Sequence, residues 1–439
     1  MTFNTVCILG MGYIGLPTAC MFTQSGVRVL GVDIHAEIVD TLNRGQIHIH
    51  EPGLAEAVNK AVAAGMLHAA TAPQPSDAFI IAVPTPFYLD DLGEYDGQSY
   101  KKADMRAVAS AARSIVPHLR QGNLVVLEST SPPRTTIDLV KPILEESGLV
   151  AGRDFTLAYS PERVLPGQIL RELVENARVI GGIDPASAQA GADLYGAFVK
   201  GQIYQTDSTT AEMVKLMENT YRDVNIAIAN EFSRLSSRFG VDVWEAIQLA
   251  SLHPRVKILS PGPGVGGHCI SVDPWFFVES APDLANLIAK ARAVNDGQPH
   301  YLLQQLRELL GGSLQGRNIA ALGLAYKPDV DDLRESPAVE VVHLLAQAGA
   351  HVLAWEPFKP QANLPGVQQA ASLAQAIGQA DVLLLLVAHS EFKALQPADV
   401  AKATPARVLY DAVGVLDAPA WRKAGFTVHR LGDAGRNSK

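Results

Sequence analysis

Near its amino terminus the chain reads Thr5-Val6-Cys7-Ile8-Leu9-Gly10-Met11-Gly12-Tyr13-Ile14-Gly15, and this pattern indicates how the first domain folds. The apolar residues before Gly10 predict a short buried strand, and residues 16–25 predict a helix. Residues 27–32 predict a second strand, which ends at Asp33. A strand, a G-x-G-x-x-G turn, a helix and a strand closed by an acid are typical of a dinucleotide-binding Rossmann sheet.

Each part of this pattern has a physical reason. The glycines let the backbone approach a pyrophosphate at a helix start, where amide groups and the helix dipole favour an anion. Asp33 can accept hydrogen bonds from ribose hydroxyls and would repel a 2′-phosphate, so the pattern favours NAD over NADP. The alternative is a glycine-rich turn that binds no ligand.

A second unusual stretch reads Pro261-Gly262-Pro263-Gly264-Val265-Gly266-Gly267-His268-Cys269-Ile270-Ser271-Val272-Asp273-Pro274-Trp275. Glycines allow sharp turns and close approach to a ligand, so a thiol on such a loop is a candidate nucleophile. The carboxylate of Asp273 follows Cys269 by four residues. The alternative is a tight turn that carries a buried structural cysteine.

Composition limits the class of protein. A chain of 439 residues predicts two or three domains, and 48% apolar with 18% charged residues is ordinary for a globular protein. A net charge of −9 without a basic block argues against a nucleic-acid partner. Three cysteines in all form no disulfide framework, and the apolar runs are too short to span a bilayer. We therefore expect a cytoplasmic protein that does not bind a membrane.

The order of predicted elements gives the domain organisation. After the last strands of the first sheet, residues 208–239 read as one long helix. From residue 318, strands and helices alternate again without the glycine pattern. We predict an α/β fold in which two Rossmann-like, doubly wound domains, residues 1–205 and 313–439, are joined by a central helical domain, residues 206–312, with a long spine helix.

Polar residues at particular positions are candidate ligands. Lys215, Asn219 and Arg222 share one face of the long helix at i, i+4 and i+7, which indicates either a solvated face or contacts to an oxygen-rich ligand. Thr85 and Thr130 follow predicted strands, where ligands of open α/β sheets bind, although turn chemistry explains either one equally well. Residues 88–102 are polar and acidic and predict a surface loop that could act as a lid. His48 and His50 lack a third ligand, so we predict no metal site.

An NAD site together with a reactive thiol indicates a particular chemistry. Oxidation of an alcohol to an aldehyde needs no cysteine. Oxidation of the aldehyde to an acid needs a tetrahedral hydride donor, which a thiolate forms by adding to the aldehyde. Hydrolysis of the resulting thioester needs a general base and groups that stabilise an oxyanion, and Asp273, Glu162, Lys215 and Asn219 are of the right types.

Seven motifs together resemble the UDP-glucose/GDP-mannose 6-dehydrogenase family over essentially the whole chain, in order. They are residues 10–15, 84–86, 128–130, 160–163, 215–222, 264–273 and 327–336. The resemblance implies three domains, a homodimer or higher homo-oligomer built on the long helix, and NAD-dependent four-electron oxidation of a nucleotide-sugar C6 alcohol to a uronate for surface polysaccharide precursors.

The resemblance also implies roles for residues at matching positions. Cys269 would be the nucleophile, Lys215 and Asn219 would stabilise the oxyanion, and Asp273, Glu162 and Thr130 would complete the catalytic set. The residues expected at NAD are Gly10, Gly12, Tyr13, Ile14, Gly15, Asp33, Thr85, Thr130 and Arg334. The residues expected at the UDP-sugar, besides Lys215 and Asn219, are Arg163, Val164, Arg222, His253, Arg255, Gly266, Tyr326 and Lys327, with His253 and Arg255 able to come from a partner subunit.

Within that family the motifs around Glu162, His253 and Cys269 are most similar to members that oxidise UDP-N-acetylhexosamines. UDP-N-acetyl-D-mannosamine is the expected substrate, and UDP-N-acetylglucosamine or another UDP-sugar is the alternative. Val413 stands where those members carry a substrate-binding lysine, which implies weaker diphosphate binding, a compensating group or a different sugar. His268 is ranked below Lys215 and Asp273 as a base for the thiol, because adjacent residues of an extended loop point apart.

The residues argue against two rival functions. A short-chain epimerase or dehydratase would need a Tyr-x-x-x-Lys pair, and no tyrosine of this chain has a lysine four residues later. A non-enzymatic NAD or nucleotide-sugar sensor would have no use for the reactive thiol beside a lysine and an amide.

Overall fold

The computed structural model describes residues 3–267 and 269–433. The chain divides into two compact units, Met1–Glu218 with Trp275–Leu284, and Asn219–Pro274 with Ala285–Lys439. The division into three domains at residues 205 and 312 stays a prediction. Within the described ranges no helix is both long and apolar enough to cross a membrane.

The first unit is built on a mostly parallel sheet. The strands of this unit are β1 (Thr5–Leu9), β2 (Arg28–Val32), β3 (Leu67–Ala70), β4 (Ala78–Ile81), β5 (Phe87–Tyr95), β6 (Gln98–Ala103), β7 (Leu124–Leu127), β8 (Thr156–Tyr159), β9 (Arg178–Gly182) and β10 (Ile203–Asp207). Its helices begin with α1 (Gly15–Gln24), α2 (Ala36–Asn43), α3 (Leu54–Ala63), α4 (Arg106–Ile115), α5 (Lys141–Glu145), α6 (Ile169–Glu175) and α7 (Pro185–Tyr195). A 3₁₀ turn covers Val116–His118, and a π-helical stretch over Thr136–Val140 leads into α5.

The order in the larger sheet is β10-β9-β8-β7-β4-β1-β2-β3. Neighbouring strands of this described sheet run parallel, except β8 and β9, which are antiparallel. Val6 and Ile8 of β1 pack into one core, whereas Cys7 and Leu9 pack into a second core on the opposite face. Successive residues of a strand face opposite sides, so helices cover both faces and the doubly wound prediction is confirmed.

The prediction that residues 88–102 form a surface loop is wrong, because β5 and β6 form an antiparallel hairpin. The turn is Asp96-Gly97, and both residues have positive φ, 50° and 71°. An Asp-Gly pair with this geometry is a strong hairpin signal, which the acidic composition of the segment obscured. The backbone amide of Ala103 also donates to the carboxylate of Glu279 at 2.8 Å, which ties the hairpin to the rest of the first unit.

The long helix was predicted correctly as α8 (Ser208–Phe239), and the boundary between the two units falls within it. Gly240 follows it with φ of 70°, a backbone conformation that stops a helix and suits glycine. The next helices are α9 (Val243–Ala250), α10 (Asp273–Ser280), α11 (Asn286–Asp296) and α12 (Gln298–Leu309).

The second unit carries its own parallel sheet. Its strands are β11 (Asn318–Leu322), β12 (His351–Trp355), β13 (Gln368–Gln369), β14 (Val382–Leu385), β15 (Val408–Asp411) and β16 (Thr427–Arg430), in the order β13-β12-β11-β14-β15-β16. Its further helices are α13 (Pro337–Gln347), α14 (Leu373–Ile377), α15 (Ser390–Lys393), α16 (Pro397–Ala403) and α17 (Ala418–Lys423). Ile319 and Ala320 of β11 again enter cores on opposite faces, which confirms the second doubly wound sheet.

Candidate active site

The glycine turn between β1 and α1 has the geometry that its sequence predicted. Gly10 has φ of 96°, and a Cβ there would lie 2.4 Å from the carbonyl oxygen of Ala82. A Cβ on Gly15 would lie 1.9 Å from the carbonyl oxygen of Gly10, whereas a Cβ on Gly12 would meet nothing within 4 Å. The outer glycines are therefore required by packing, and Gly12 faces open space that a pyrophosphate can fill.

Asp33 closes this turn from the end of β2. Its two carboxylate oxygens accept the backbone amides of Met11 at 3.2 Å and His35 at 3.1 Å. The side chain is only half-buried, so it can still accept from ribose hydroxyls. Tyr13 and Ile14 precede α1, whose first residues have no side-chain cap and no acid in the first turn. The turn, the uncapped helix start and Asp33 together fit a dinucleotide.

Thr85 and Thr130 follow β4 and β7, which are neighbours in the sheet, and both are half-buried. The hydroxyl of Ser129 donates to the backbone carbonyl of Val83 at 2.7 Å and so ties the two strand ends together. The structure thus places both threonines at the carboxyl edge of the sheet that carries the glycine turn, where ligands of such sheets bind.

Glu162 belongs to a buried cluster in the first unit. One carboxylate oxygen accepts from Arg178 at 2.6 Å, and the other accepts the amide of Arg163 at 2.6 Å. Arg178 also donates to Glu128 at 3.1 Å and lies over the ring of Tyr195, whose hydroxyl donates to Glu128 at 2.9 Å. Burial raises the pKa of Glu128 to about 7, despite the opposing charge of Arg178.

The loop that carries Arg163 and Val164 is held at both ends. The guanidinium of Arg163 donates to Glu218 at 2.8 Å, and Val164 packs against the core. Farther along, the buried carboxylate of Glu51 accepts the amides of Gly167 and Ile169, each at 2.8 Å. Acceptors on other segments therefore fix the shape of this loop.

In the second unit, the glycine-rich loop lies tightly against the segment that follows β11. A Cβ on Gly266 would lie 2.4 Å from the carbonyl oxygen of Glu335, and one on Gly267 would lie 2.6 Å from the ring of Tyr326. The amide of Gly267 donates to the carbonyl of Arg334 at 3.2 Å. The glycines are needed because another segment of the same unit approaches within contact distance.

Cys269 is exposed at the end of this loop, while Cys7 and Cys20 are buried. The carbonyl of Cys269 accepts the amide of Asp273 at 2.8 Å, so the two residues belong to one turn at the start of α10. The buried carboxylate of Asp273 accepts from the side-chain amide of Asn219 at 2.5 Å. A thiol, a carboxylate and an amide of the predicted set thus lie on adjoining segments.

Two of the three residues predicted to share one face of the long helix differ in solvent exposure. Lys215 is buried with 8% of its surface exposed, whereas Arg222 is exposed. The neighbouring face of α8 is fixed by a buried ion pair between Asp223 and Arg292, 2.6 Å apart. Asn230 on the same helix accepts the amide of Gly262 at 2.9 Å and so anchors the start of the cysteine loop.

The remaining predicted substrate and cofactor residues lie on irregular segments of the second unit. His253 and Arg255 are exposed after α9, and Lys327 is half-buried with its ammonium 5.7 Å from the ring of Tyr326. The guanidinium of exposed Arg334 pairs with Asp332 at 2.6 Å. His268 lies outside the described residues. Val413, half-buried against the core, follows Asp411, which accepts its amide at 3.0 Å.

Several residues that shape the site were not singled out from the sequence. Arg178 and Glu51 reach loops far along the chain, and no local pattern marks such contacts. Glu356 holds the residues before Lys327 and His389 holds a residue after it, and only Glu356 had a signal in the sequence. That signal is its place directly after β12, which matches the place of Asp33 after β2. Within the described residues no group of three or more His, Cys, Asp or Glu side chains could hold a metal ion.

Comparisons with known proteins cover nearly the whole chain. Models of the UDP-glucose/GDP-mannose dehydrogenase family match at residues 4–199 (NAD binding domain), 209–297 (central domain) and 320–418 (UDP binding domain). The chain is 48% identical to the UDP-N-acetyl-D-mannosamine dehydrogenase of Yersinia pestis over 91% of this chain and 97% of that one. It is 44% identical to the enzyme of the same name from Methanococcus maripaludis, over 98% and 97% of the two chains.

Solved structures give the same result. The UDP-D-ManNAc dehydrogenase of Pyrococcus horikoshii superposes with a TM-score of 0.88 and 38% identity, over 98% of this chain and 100% of that one. The native UDP-N-acetyl-mannosamine dehydrogenase of Staphylococcus aureus superposes with a TM-score of 0.86 and 41% identity, over 98% of both chains.

Proposed function

The chain belongs to the UDP-glucose/GDP-mannose dehydrogenase family, and on this basis we propose that it oxidises C6 of UDP-N-acetyl-D-mannosamine to the uronate through a thioester on Cys269. It is an NAD-dependent dehydrogenase of nucleotide sugars. The names of the relatives from Yersinia pestis and Methanococcus maripaludis support the choice of sugar. The observation that carries the proposed mechanism is the exposed thiol of Cys269 one turn before Asp273, whose carboxylate is held by Asn219.

The first oxidation converts the C6 alcohol to an aldehyde. NAD, when bound, accepts a hydride in each of the two oxidation steps. In the first step Lys215 handles the proton that leaves the hydroxyl group. Its place on the long helix, one turn before Asn219, lets both side chains share one helix face.

The second oxidation requires the cysteine. The thiolate of Cys269 adds to the aldehyde carbon and forms a thiohemiacetal, and the loss of a hydride from C6 converts this to a thioester. Lys215 and Asn219 stabilise the negative oxygen that develops at C6. Water then cleaves the carbon–sulfur bond, which releases the carboxylate and restores the thiol. The balance is one alcohol, two NAD⁺ and one water to one carboxylate, two NADH and three protons.

The carboxylates serve the proton transfers of these steps. Asp273 acts on the thiol or the attacking water, and Glu162 acts in hydrolysis, with Thr130 in support. The contact of Glu162 with Arg178 orients its carboxylate. Binding of the UDP-sugar is assigned to Arg163, Val164, Arg222, His253, Arg255, Gly266, Tyr326 and Lys327. NAD is assigned to the glycine turn with Tyr13, Ile14, Asp33, Thr85, Thr130 and Arg334.

The stoichiometry of NADH tests the mechanism directly. A limiting amount of UDP-N-acetyl-D-mannosamine should yield two NADH per sugar, and Cys269→Ser should lose uronate formation while it still binds UDP. A yield of one NADH, or full turnover by Cys269→Ser, would refute the thioester route. Parallel assays with UDP-N-acetylglucosamine, UDP-N-acetylgalactosamine and UDP-glucose identify the preferred sugar. Binding of the sugar without any turnover would favour a sensor instead.

The exposed apolar face of α8 supports a homodimer. Tyr221, Ile228, Phe232, Leu235 and Phe239 are 40% to 72% exposed and recur at intervals of three, four or seven residues along the helix. A continuous exposed apolar stripe of this kind marks a protein interface. Light scattering should give twice the monomer mass, and Phe232→Glu should reduce it.

A further inference from the structure

The segment that contains Lys327 is anchored at its amino-terminal end by a buried carboxylate. This segment, residues 324–329, follows β11 in the second unit and carries Tyr326 and Lys327. The amides of Leu324 and Ala325 both donate to one oxygen of Glu356, at 2.7 Å and 2.9 Å. The other oxygen of Glu356 accepts the amide of Phe358 at 3.0 Å. Glu356 has no exposed surface, so water cannot replace these bonds.

The other end of the segment is anchored by a histidine. The amide of Asp329 donates to Nδ1 of His389 at 2.9 Å. The carboxylate of Asp329 accepts the amide of Ser390 at 2.8 Å and its hydroxyl at 2.6 Å. Asp329 has φ of 60°, a conformation that costs a non-glycine residue free energy and needs such fixed contacts.

The two anchors contact each other. Nε2 of His389 lies 3.1 Å from the carboxylate of Glu356, and neither side chain is exposed. Because Nδ1 accepts the amide of Asp329, the ring proton lies on Nε2 and points at Glu356. The ring of His389 is packed between those of Phe358, at 5.0 Å, and Phe392, at 5.5 Å, which fixes its plane.

We propose that His389 and Glu356 are positioning residues that hold residues 324–329 in the shape in which Tyr326 and Lys327 bind the UDP portion of the substrate. The proposal rests on the function proposed above. Glu356 fixes the two amides directly before Tyr326, and His389 fixes the amide two residues after Lys327. Lys327 is thus bracketed by contacts to Glu356 and His389, whose side chains have no exposed surface, so its ammonium is presented to a diphosphate at a reduced loss of conformational entropy on binding.

Substitutions of His389 separate the two bonds that it makes. His389→Asn keeps an acceptor near the position of Nδ1, and His389→Gln keeps a donor near the position of Nε2, whereas His389→Ala keeps neither. We expect His389→Ala to raise the Kd for UDP roughly ten-fold or more, because it loses both hydrogen bonds and residues 324–329 are no longer held at Asp329. The Kd for NADH should change far less, because NAD is assigned chiefly to the glycine turn of the first unit. His351 is exposed at the opposite end of β12, and His351→Gln is the matched control.

Hydrogen exchange of the full chain provides a second measurement. The amide of Asp329 should exchange faster in His389→Ala and His389→Gln, and it should stay protected in His389→Asn and His351→Gln. The KM for the UDP-sugar should rise in the same variants that expose this amide, with a smaller change in kcat. If His389→Ala does not fold, the Asn and Gln variants alone decide the matter.

The outcomes distinguish this proposal from the function beneath it. If the wild-type protein does not bind UDP, or if Lys327→Met binds it unchanged, the proposed function of this segment fails, and the positioning role fails with it. If Lys327→Met weakens UDP binding but folded His389→Ala and His389→Gln bind UDP like the wild type, only the positioning role is overturned.

Discussion

The two sheets of this protein share one local structure, which we call the corner: a glycine after the first strand that hydrogen-bonds to the end of the second strand. The two corners differ in their surroundings. In the first unit, Gly10 has φ of 96° and its amide donates to the carbonyl of Val32 at 2.8 Å. In the second, Gly323 has φ of 93° and its amide donates to the carbonyl of Trp355 at 2.9 Å. Each glycine directly follows the first strand of its sheet and pairs with the end of the second strand.

The acid that follows the second strand also corresponds. Asp33 accepts the amide of Met11, which follows Gly10, and the amide of His35, the second residue after Asp33. Glu356 likewise accepts the amide of Leu324, which follows Gly323, and the amide of Phe358, the second residue after Glu356. The difference is burial. Asp33 is half-buried, whereas Glu356 is fully buried against His389.

We propose that this difference lets one backbone frame serve ligand binding in the first unit and support of a loop in the second. An acid that solvent can reach keeps acceptor capacity for a ligand's hydroxyl groups. A buried acid uses that capacity for backbone amides and a histidine, and it then determines the shape of the neighbouring loop. Burial also acts on its ionisation: it would raise the pKa of Glu356, but hydrogen bonds from His389 and from Leu324 outweigh it, so the pKa is lowered.

The strongest effect should come from adding a methyl group to either corner glycine. Gly10→Ala and Gly323→Ala should each destabilise the protein by about 4 kcal/mol or more, because φ is positive and Cβ would overlap Ala82 or Val387. Gly12→Ala should leave stability unchanged, since its Cβ meets nothing within 4 Å, but should weaken NADH binding. Urea unfolding and NADH titration measure both quantities. A stable Gly323→Ala would show that the second corner is not under the same constraint.

Removal of each acid should separate support from binding. Glu356→Ala leaves the two buried amides of Leu324 and Ala325 without an acceptor and should cost about 3 kcal/mol of unfolding free energy. Asp33→Ala should cost about 1 kcal/mol, because water can reach the amides that it frees. Urea unfolding of both variants compares the two losses of unfolding free energy. Equal losses would mean that burial is not what separates the two corners.

The pH dependence of stability should distinguish Glu356 from its neutral analogue. Its folded-state pKa is lowered below the ordinary value of 4.5, so the ionised carboxylate stabilises the fold above that value. This contribution is lost as the pH falls through the lowered pKa. The Tm difference between the wild type and Glu356→Gln should therefore be largest near neutral pH and shrink below pH 4.5. A difference that stays constant down to about pH 3 would contradict the role of the charge.

The weakest effect concerns cofactor choice at the first corner. Asp33→Asn removes the negative charge that repels a 2′-phosphate. The ratio of the KM for NADP to the KM for NAD should therefore fall about ten-fold, which corresponds to about 1.4 kcal/mol. Steady-state assays with both cofactors measure the ratio, and Glu356→Gln is the control, since the second corner should not alter it. An unchanged ratio would assign the preference to another group.

Particular residues show how far sequence reasoning reached. The glycine turn, Asp33, the long helix and the cysteine loop were found because each is encoded within a short segment of about twenty to thirty residues, in patterns with a direct backbone meaning. The hairpin at Asp96-Gly97 was missed although its turn signal was present, since the composition of its strands was acidic. Arg178 could not be found, because it contacts Glu128, which is 50 positions away in sequence.

Local sequence specified both doubly wound sheets, the dinucleotide turn and the loop that carries Cys269, because strand and helix periodicity and glycine backbone freedom are local properties. Which of the two acids is buried depends instead on the tertiary fold. Glu356 and His389 lie 33 residues apart, and they meet because β12 and β14 both flank β11 and end at the same edge of the sheet. Solvent exclusion, which buries Glu356 and leaves Asp33 accessible, is a property of packing and is not encoded at either position alone.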